Sequence, residues 1–265
     1  ASDYRIKIKG SVVAAGQTRP GRLMAMDSGL ASGPIEGERT REPAFGLEAW
    51  WIDPALRSRA ETMNYTVVDP TSVLGTHLTE VVKQHASELL TRDEVVNLVE
   101  QLKQKAPKLV EETIPATVKV GDLQKILQGL LRERVPVRDL ETILETLADW
   151  GSKTKDAEVL VEYVRNALRR TICQQYAAPA ADGMGKPRIV CVTLDPAFED
   201  NINSYIDRGP AGTVVSMPAR VAARVTESIM KGVRQVTSAG HPPVIIASPQ
   251  VRAVVGHAAV PGEQA

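Results

Sequence analysis

The stretch DPTSVLGTHLTEVVKQHASE (residues 69–88) decides how the chain is read. Asp69 can cap a helix with its carboxylate and Pro70 suits the first helical position, so a helix starts here. The same Asp-Pro pair follows short apolar stretches at 53–54 and 195–196, which gives strands alternating with helices. Within the helix the pattern His-x-x-Glu occurs twice, His77 with Glu80 and His85 with Glu88. Residues three apart share a helix face, and Glu-x-x-His pairs build di-iron sites inside four-helix bundles. Yet residues eight apart on a helix lie about 12 Å apart along its axis and about 80° apart around it. One ion cannot bridge His77 and His85, and a di-metal site needs ligands from facing helices. The chain has only two other histidines, His241 and His257. The expectation is an amphipathic helix with solvated or partly buried histidines, without metal or cofactor.

The 265 residues are 43% hydrophobic and 24% charged, and 32 basic residues balance 32 acidic ones. That length accommodates two or more cores. Neutral charge argues against a dedicated nucleic-acid binder, whose affinity leans on phosphate neutralisation. Cys173 and Cys191 are too few for a disulfide framework and lack zinc-site spacing, which suits a reducing cytoplasm. No apolar run approaches the roughly 20 residues that span a bilayer, and no secretory pattern opens the chain. It begins Ala1-Ser2-Asp3 without methionine, the opening expected of a piece of something larger.

In YRIKIKG (4–10), apolar and basic residues alternate as in a half-buried strand ended by Gly10. RLMAM (22–26) is a second short apolar stretch. Residues 27–43, rich in Gly, Ser, Pro and charge, read as a long surface loop. AWWI (49–52) is a strand candidate whose adjacent tryptophans must point to opposite faces, one to the core and one as an exposed contact. Thr91-Arg-Asp-Glu94 has capping-box spacing for a helix that runs to Lys105, before Pro107. Helical patterns follow at 122–133, 137–150 and 156–170. In the second, Leu140, Ile143, Leu144 and Leu147 form the apolar face, and Gly151 is its C-cap. AAPAADGMGKP (177–187) reads as a linker. RIVCVTL (188–194) then reads as a buried strand, followed by a long helix from Ala219 to about Thr237 and the short VIIA (244–247).

The motifs of catalysis are missing. There is no G-x-S-x-G elbow, Walker loop or dinucleotide fingerprint, and Gly183-Met-Gly185 stands without the rest of either glycine pattern. Neither cysteine has an evident base beside it. The helices of 132–171 suggest a winged-helix arrangement, but their interleaved charges fit a solvated structural face better than a DNA-binding one.

Several stretches together resemble one family: YRIKIKG (4–10), PGRLMAMD (20–27), TREPAFG (40–46) with AWWI, YTVVDPTSVLGTHLTEV (65–81), ILETLADW (143–150) and TKDAEVLVEYVRNALRR (154–170). In order and over nearly the whole chain they are similar to the cytoplasmic part of the FHIPEP family of type III export gates. YRIKIKG and TREPAFG incline the resemblance to the flagellar branch, with the injectisome branch as the alternative.

The resemblance implies a mixed α/β (α+β) fold of four subdomains. These are 1–65 with 115–134, an inserted 66–114, a helical 135–186 and a small α/β 187–265. It implies a non-enzymatic docking platform that binds export chaperone–substrate complexes and other export-apparatus proteins. It also implies self-association into a nine-membered ring, no nucleic-acid partner, and membrane attachment only through an N-terminal region that precedes these residues. The family's chaperone-docking dimple maps its acidic member onto Ser87, its hydrophobic member onto Leu90 and its small polar member onto Gly121. Only Leu90 keeps the family character, although Glu88 and Asp122 supply neighbouring carboxylates, and the usual GRQE reads TRDE (91–94). A shallow apolar pocket rimmed by carboxylates suits an amphipathic helix with an anchor residue. Relatives continue past VIIASPQVRAVV with a basic helix and a further strand, where this chain reads GHAAVPGEQA (256–265). A frayed tail, an exposed sheet edge and weakened ring contacts are therefore expected.

Overall fold

A computed structural model of the chain describes residues 2–179, 185–209 and 212–259. The backbone groups into two compact units, Ala1–Leu98 with Leu123–Arg134, and Val99–Asp122 with Val135–Ala265.

The chain opens with β1 (Ser2–Ile8) and β2 (Ser11–Thr18), an antiparallel hairpin with a bulge at Ile6/Lys7. Lys9 and Gly10 both take positive φ at its tip, the geometry that matches a tight turn to strand twist. Then come β3 (Leu23–Met26), β4 (Glu38–Arg41), β5 (Glu48–Ile52), α1 (Arg57–Thr62) and β6 (Thr66–Val68). The four strands form an antiparallel sheet in the order β4-β5-β3-β6. Helices α2 (Pro70–Gln84), α3 (Ala86–Leu89), α4 (Arg92–Lys105), α5 (Pro107–Thr113) and α6 (Val120–Arg132) follow. The Asp-Pro starts are as expected: Asp69 accepts from the Ser72 amide and Asp53 from the Ala55 amide.

Both faces of this sheet are covered, as its alternation dictates. Met24, Ala49 and Trp51 pack with Val73 of α2 on one face. Ala25 and Ile52 pack with Ile35, Ala60 and Tyr65 on the other. Trp51 is fully buried, while Trp50 is half-buried and meets Tyr65 edge to face, ring centres 5.6 Å apart. The expectation of an exposed tryptophan contact is therefore corrected, because the sheet has no bare face at β5. The expected long loop at 27–43 also contains a strand. Its sequence, ERTR, carries no apolar signal; pairing with β5 and the ion pairs Arg19–Glu38 and Arg39–Glu48 hold it as an edge.

In the second unit α7 (Leu140–Trp150) buries Leu140, Ile143, Leu144 and Leu147, and α8 (Ala157–Ala167) buries Leu160, Val161 and Val164. Asp139 and Asp156 cap them. Trp150 stacks on Tyr163 at 4.0 Å, with the Lys153 ammonium 4.0 Å from the indole centre. After α9 (Arg169–Tyr176), the chain forms β7 (Val192–Thr193), α10 (Pro196–Asn203), the hairpin β8 (Ile206–Gly209) and β9 (Gly212–Val215), α11 (Ala219–Ser238), β10 (Ile245–Ile246) and α12 (Arg252–Ala259). Strands β7 and β10 pair in parallel. Ile202, Ile206, Val225, Ile229, Val251 and Val255 form the core of this region.

Three expectations change here. Of RIVCVTL only Val192–Thr193 pairs as strand, and Val190 is exposed, because among the described residues this small sheet has just two strands. Of the tail expected to fray (256–265), residues 256–259 continue helix α12, anchored by the turn before them. Val251 and Val255 are buried, and Arg252 is held by both carboxylate oxygens of Glu162 on α8. Residues 260–265, the rest of the expected frayed end, lie outside the described residues. Of the expected linker, Ala178 and Arg188 exchange a pair of backbone hydrogen bonds, while residues 180–184, which include Gly183, lie outside the described residues.

Candidate functional site

Leu90 stands at the break between α3 and α4 with an extended backbone. The break has a local cause: the Thr91 hydroxyl accepts from the Glu94 amide at 3.2 Å, which starts α4 afresh. The freed Leu90 carbonyl does not go unpaired. The side-chain amides of Gln124 and Gln128, one turn apart on α6, both donate to it at 3.1 and 3.2 Å. Gln124 also accepts from Arg92 Nε at 3.4 Å. Beside it, the Glu88 carbonyl accepts from Lys9 Nζ at the hairpin tip at 3.2 Å, and His85 Nδ1 lies 3.3 Å from the Glu88 carboxylate. Polar side chains from three elements thus fix the segment that carries Ser87 and Leu90.

Ser87 lies within α3 and, like Leu90, is half-buried in the first unit. Gly121 and Asp122 open α6, in the stretch that belongs to the second unit, with Asp122 exposed in the first helical turn. A carboxylate there complements the helix dipole. The structure thus brings Ser87 and Leu90 together on adjoining turns and places Gly121 and Asp122 side by side at a helix start.

Helix α2 holds only the first of the two His-x-x-Glu pairs, which corrects the expectation of one helix through both: it ends at Gln84, His85 caps it, and Glu88 lies in α3. The buried face of α2 is Val73, His77, Glu80 and Val81. His77 Nδ1 and the Tyr4 hydroxyl share a hydrogen bond of 2.7 Å, with the rings edge to face at 5.7 Å. Burial raises the Tyr4 phenol above its usual range, and the nearby Glu42 charge adds to the effect. Glu42 is itself buried and accepts from the Ala44 and Phe45 amides. Glu80 bonds Lys83 at 2.6 Å and Arg134 at 3.5 Å, and the Lys83 ammonium above all holds its carboxyl below the usual range. Each residue of the two His-x-x-Glu pairs therefore has a protein partner. Among the described residues no group of three or more His, Cys, Asp or Glu side chains is placed to hold a metal ion. Both cysteines are free thiols, Cys173 exposed and Cys191 half-buried.

The sequence reading missed the neighbouring face of α2. Leu74, Leu78 and Val82, spaced by four, are 37%, 46% and 45% exposed, and Leu89 of α3 is 40% exposed. An apolar row of about 12 Å on a helix beside its buried face is an unpartnered surface. Its spacing was visible in the sequence; that the core takes Val73, His77 and Val81 instead was not.

A family model described as the FHIPEP family matches residues 1–261. The flagellar biosynthesis protein FlhA of Bacillus subtilis (strain 168) is 39% identical over 254 residues, covering 96% of this chain and 37% of the relative. The chain thus spans little more than a third of that relative's length. Among solved structures, the Chlamydia pneumoniae CdsV protein superposes with a TM-score of 0.79 at 25% identity, covering 97% of this chain and 72% of that one. The nonameric EPEC SctV-C, at a TM-score of 0.69 and 22% identity over 94% of this chain and 73% of that one, shares the fold. The mixed α/β architecture agrees with these structures. Among the described residues, no helix is long and apolar enough to cross a membrane. By a family match over nearly its whole length, and by the flagellar relative of which it covers one large piece, the chain belongs to the FHIPEP family.

Proposed function

We propose that the chain is the cytoplasmic docking platform of a flagellar type III export gate, attached to the inner membrane by a region outside these residues. It receives export chaperone–substrate complexes, contacts other export-apparatus proteins and assembles into a ring under the membrane apparatus, without a reaction of its own. The ring reading is supported by the nonameric state named for the SctV-C relative. The expected four subdomains, with 66–114 inserted into the first, remain part of this proposal, as do Ser87, Leu90, Gly121 and Asp122 as docking residues.

The observation that carries the docking reading is the segment around Leu90. A half-buried leucine stands at a helix break held by Gln124 and Gln128, after an exposed apolar row on α2. A fixed apolar step next to an apolar row suits the apolar face of a helix laid into a groove, with one side chain as anchor. A rigid site loses less conformational freedom on binding than a loose one.

The test is binding of the purified chain to flagellar chaperones loaded with their substrates, followed by calorimetry, with Leu90→Asp as the comparison. The expected result is a dissociation constant on the order of micromolar. Leu90→Asp abolishes it while circular dichroism and melting stay unchanged, since Leu90 is only half-buried. Failure to bind any flagellar chaperone complex, together with binding to injectisome-type chaperones, would assign the chain to the injectisome branch instead.

A further inference from the structure

The first two strands stand apart from the rest of the first unit. Among the described residues β1 and β2 pair only with each other, and no backbone hydrogen bond joins them to the four-stranded sheet or to α2. A lone two-stranded hairpin is marginally stable in water, so its order depends on the surface it lies on. Its fasteners are side chains. Tyr4 stands opposite Gly16 and covers it, and the missing Cβ leaves the ring room to reach His77 of α2 at 2.7 Å. Just past β2, Arg19 grips both carboxylate oxygens of Glu38. At the tip, Lys9 Nζ donates to the Glu88 carbonyl at 3.2 Å.

That last bond lands on the docking segment. Helix α3 has four residues, too few to hold itself, and no side chain caps its start. The final carbonyls of a helix lack partners within it, and a cation beside them also complements the dipole. The groups that hold this end come from elsewhere: Gln124 and Gln128 of α6 take the Leu90 carbonyl, and Lys9 of the hairpin takes the Glu88 carbonyl. The glutamines cannot leave without disturbing α6, which buries Leu123, Ile126, Leu127 and Leu130. The hairpin can leave, because it shares no backbone ladder with its neighbours.

On the docking reading of Leu90, we propose that the β1–β2 hairpin is a strap that sets the docking segment, with Lys9 and Tyr4 as its positioning residues. Seated on α2, it holds residues 86–90 in the geometry that binds. Lifted, it frees the Glu88 carbonyl, α3 loosens and docking weakens. The site is thereby tuned from the opening of the chain, 79 residues away in sequence. A hairpin that only covered α2 would lower the stability of the unit evenly when unfastened. A strap releases residues 86–90 ahead of the rest.

Two variants separate the fasteners. Lys9→Asn removes the ammonium with a residue that tolerates the positive φ at this position. Tyr4→Phe removes the hydroxyl and keeps the ring over Gly16. In each, hydrogen exchange read by mass spectrometry should quicken at residues 86–90 by about threefold or more beyond any change in β3 and β5. Flagellar chaperones loaded with their substrates should bind each variant about threefold or more weakly than the unsubstituted chain. In return, a bound complex should slow exchange along β1 and β2, and Lys9→Asn should remove that slowing, because coupling between two sites is reciprocal. Unchanged exchange at 86–90 in both variants, or a rise spread evenly over the unit, would overturn the strap. So would undiminished affinity in both variants despite faster exchange. If the unsubstituted chain binds no chaperone complex, the docking reading fails by itself, and the exchange comparison still decides whether the hairpin holds residues 86–90.

Discussion

The two units of this chain bury different chemistry. The first encloses His77, Glu80 and Glu42 and answers each with a named partner, two of them, Tyr4 and Arg134, reached across more than fifty residues of sequence. In the second, the one buried polar side chain among the described residues is Thr113, whose hydroxyl has no partner. The carboxyls held below their ordinary range follow the same division. Glu80, Asp69 through Ser72, and Glu38 through Arg19 all lie in the first unit. A unit with buried polar pins gains a pH-dependent part of its stability. A unit whose buried side chains are nearly all aliphatic is injured chiefly by lost volume, although the Glu162–Arg252 pair fastens it too. The polar unit is also the one that carries Leu90, and docking benefits from a fixed surface.

The largest effect should come from removing volume in the second unit. Leu144 is fully buried, and Leu144→Ala is expected to cost about 2–5 kcal/mol through lost transfer energy and a residual cavity. Hydrogen exchange read by mass spectrometry should show the loss in α7 and α8, with β3 and β5 keeping their protection. Equal loss in both would mean that the units unfold together and that the contrast has no thermodynamic content.

Next in size is the Tyr4–His77 pin. Tyr4→Phe leaves a buried imidazole nitrogen without its partner, at a cost of about 1–3 kcal/mol. Gly16→Ala should act on the same contact, because a Cβ there would strike the Tyr4 ring and hydroxyl. The two losses should not add, and a double variant as unstable as their sum would show that they act separately.

Acid comes third. A carboxyl whose folded pKa is depressed stabilises fully above its unfolded value, about 4 for Asp and Glu. That contribution is lost as pH falls through the depressed folded value. Lowering pH from about 5 to 3 should therefore open the first unit before the second, as read by the fluorescence of Trp50 and Trp51 against hydrogen exchange around Trp150. Since Lys83 is largely exposed, Glu80→Gln should blunt this acid sensitivity only partly. Acid opening of both units at one pH would remove the distinction.

The smallest effect is expected at Thr113. Valine has nearly the same shape and no unpaired hydroxyl, so Thr113→Val should leave the melting temperature unchanged or slightly raised. A clear loss would reveal a partner for that hydroxyl.

Much of this was legible without coordinates, and the reason is local. Asp53, Asp69 and Asp195 followed by proline, Thr91 before α4 and Gly151 after α7 state their helix boundaries through hydrogen bonds only a few residues long. The apolar periodicity of α7 named its buried face correctly, and the ordered motifs over most of the chain pointed to the family before any fold was seen. Leu90 was singled out by the resemblance alone. The strands β2, β4, β6, β8 and β9 went unread. Of these, ERTR and IDRG have no apolar alternation and exist because a neighbour pairs with them, and the others are held by pairing as well. Local chemistry thus marks where the capped helices begin and which residues can form a core, though not the break at His85. Only the tertiary structure decided that His77 turns inward to Tyr4, that two glutamines share the Leu90 carbonyl, and that Val255 is buried. Each of those depends on a partner far along the chain, and no local preference encodes the distance between two side chains that meet only after folding.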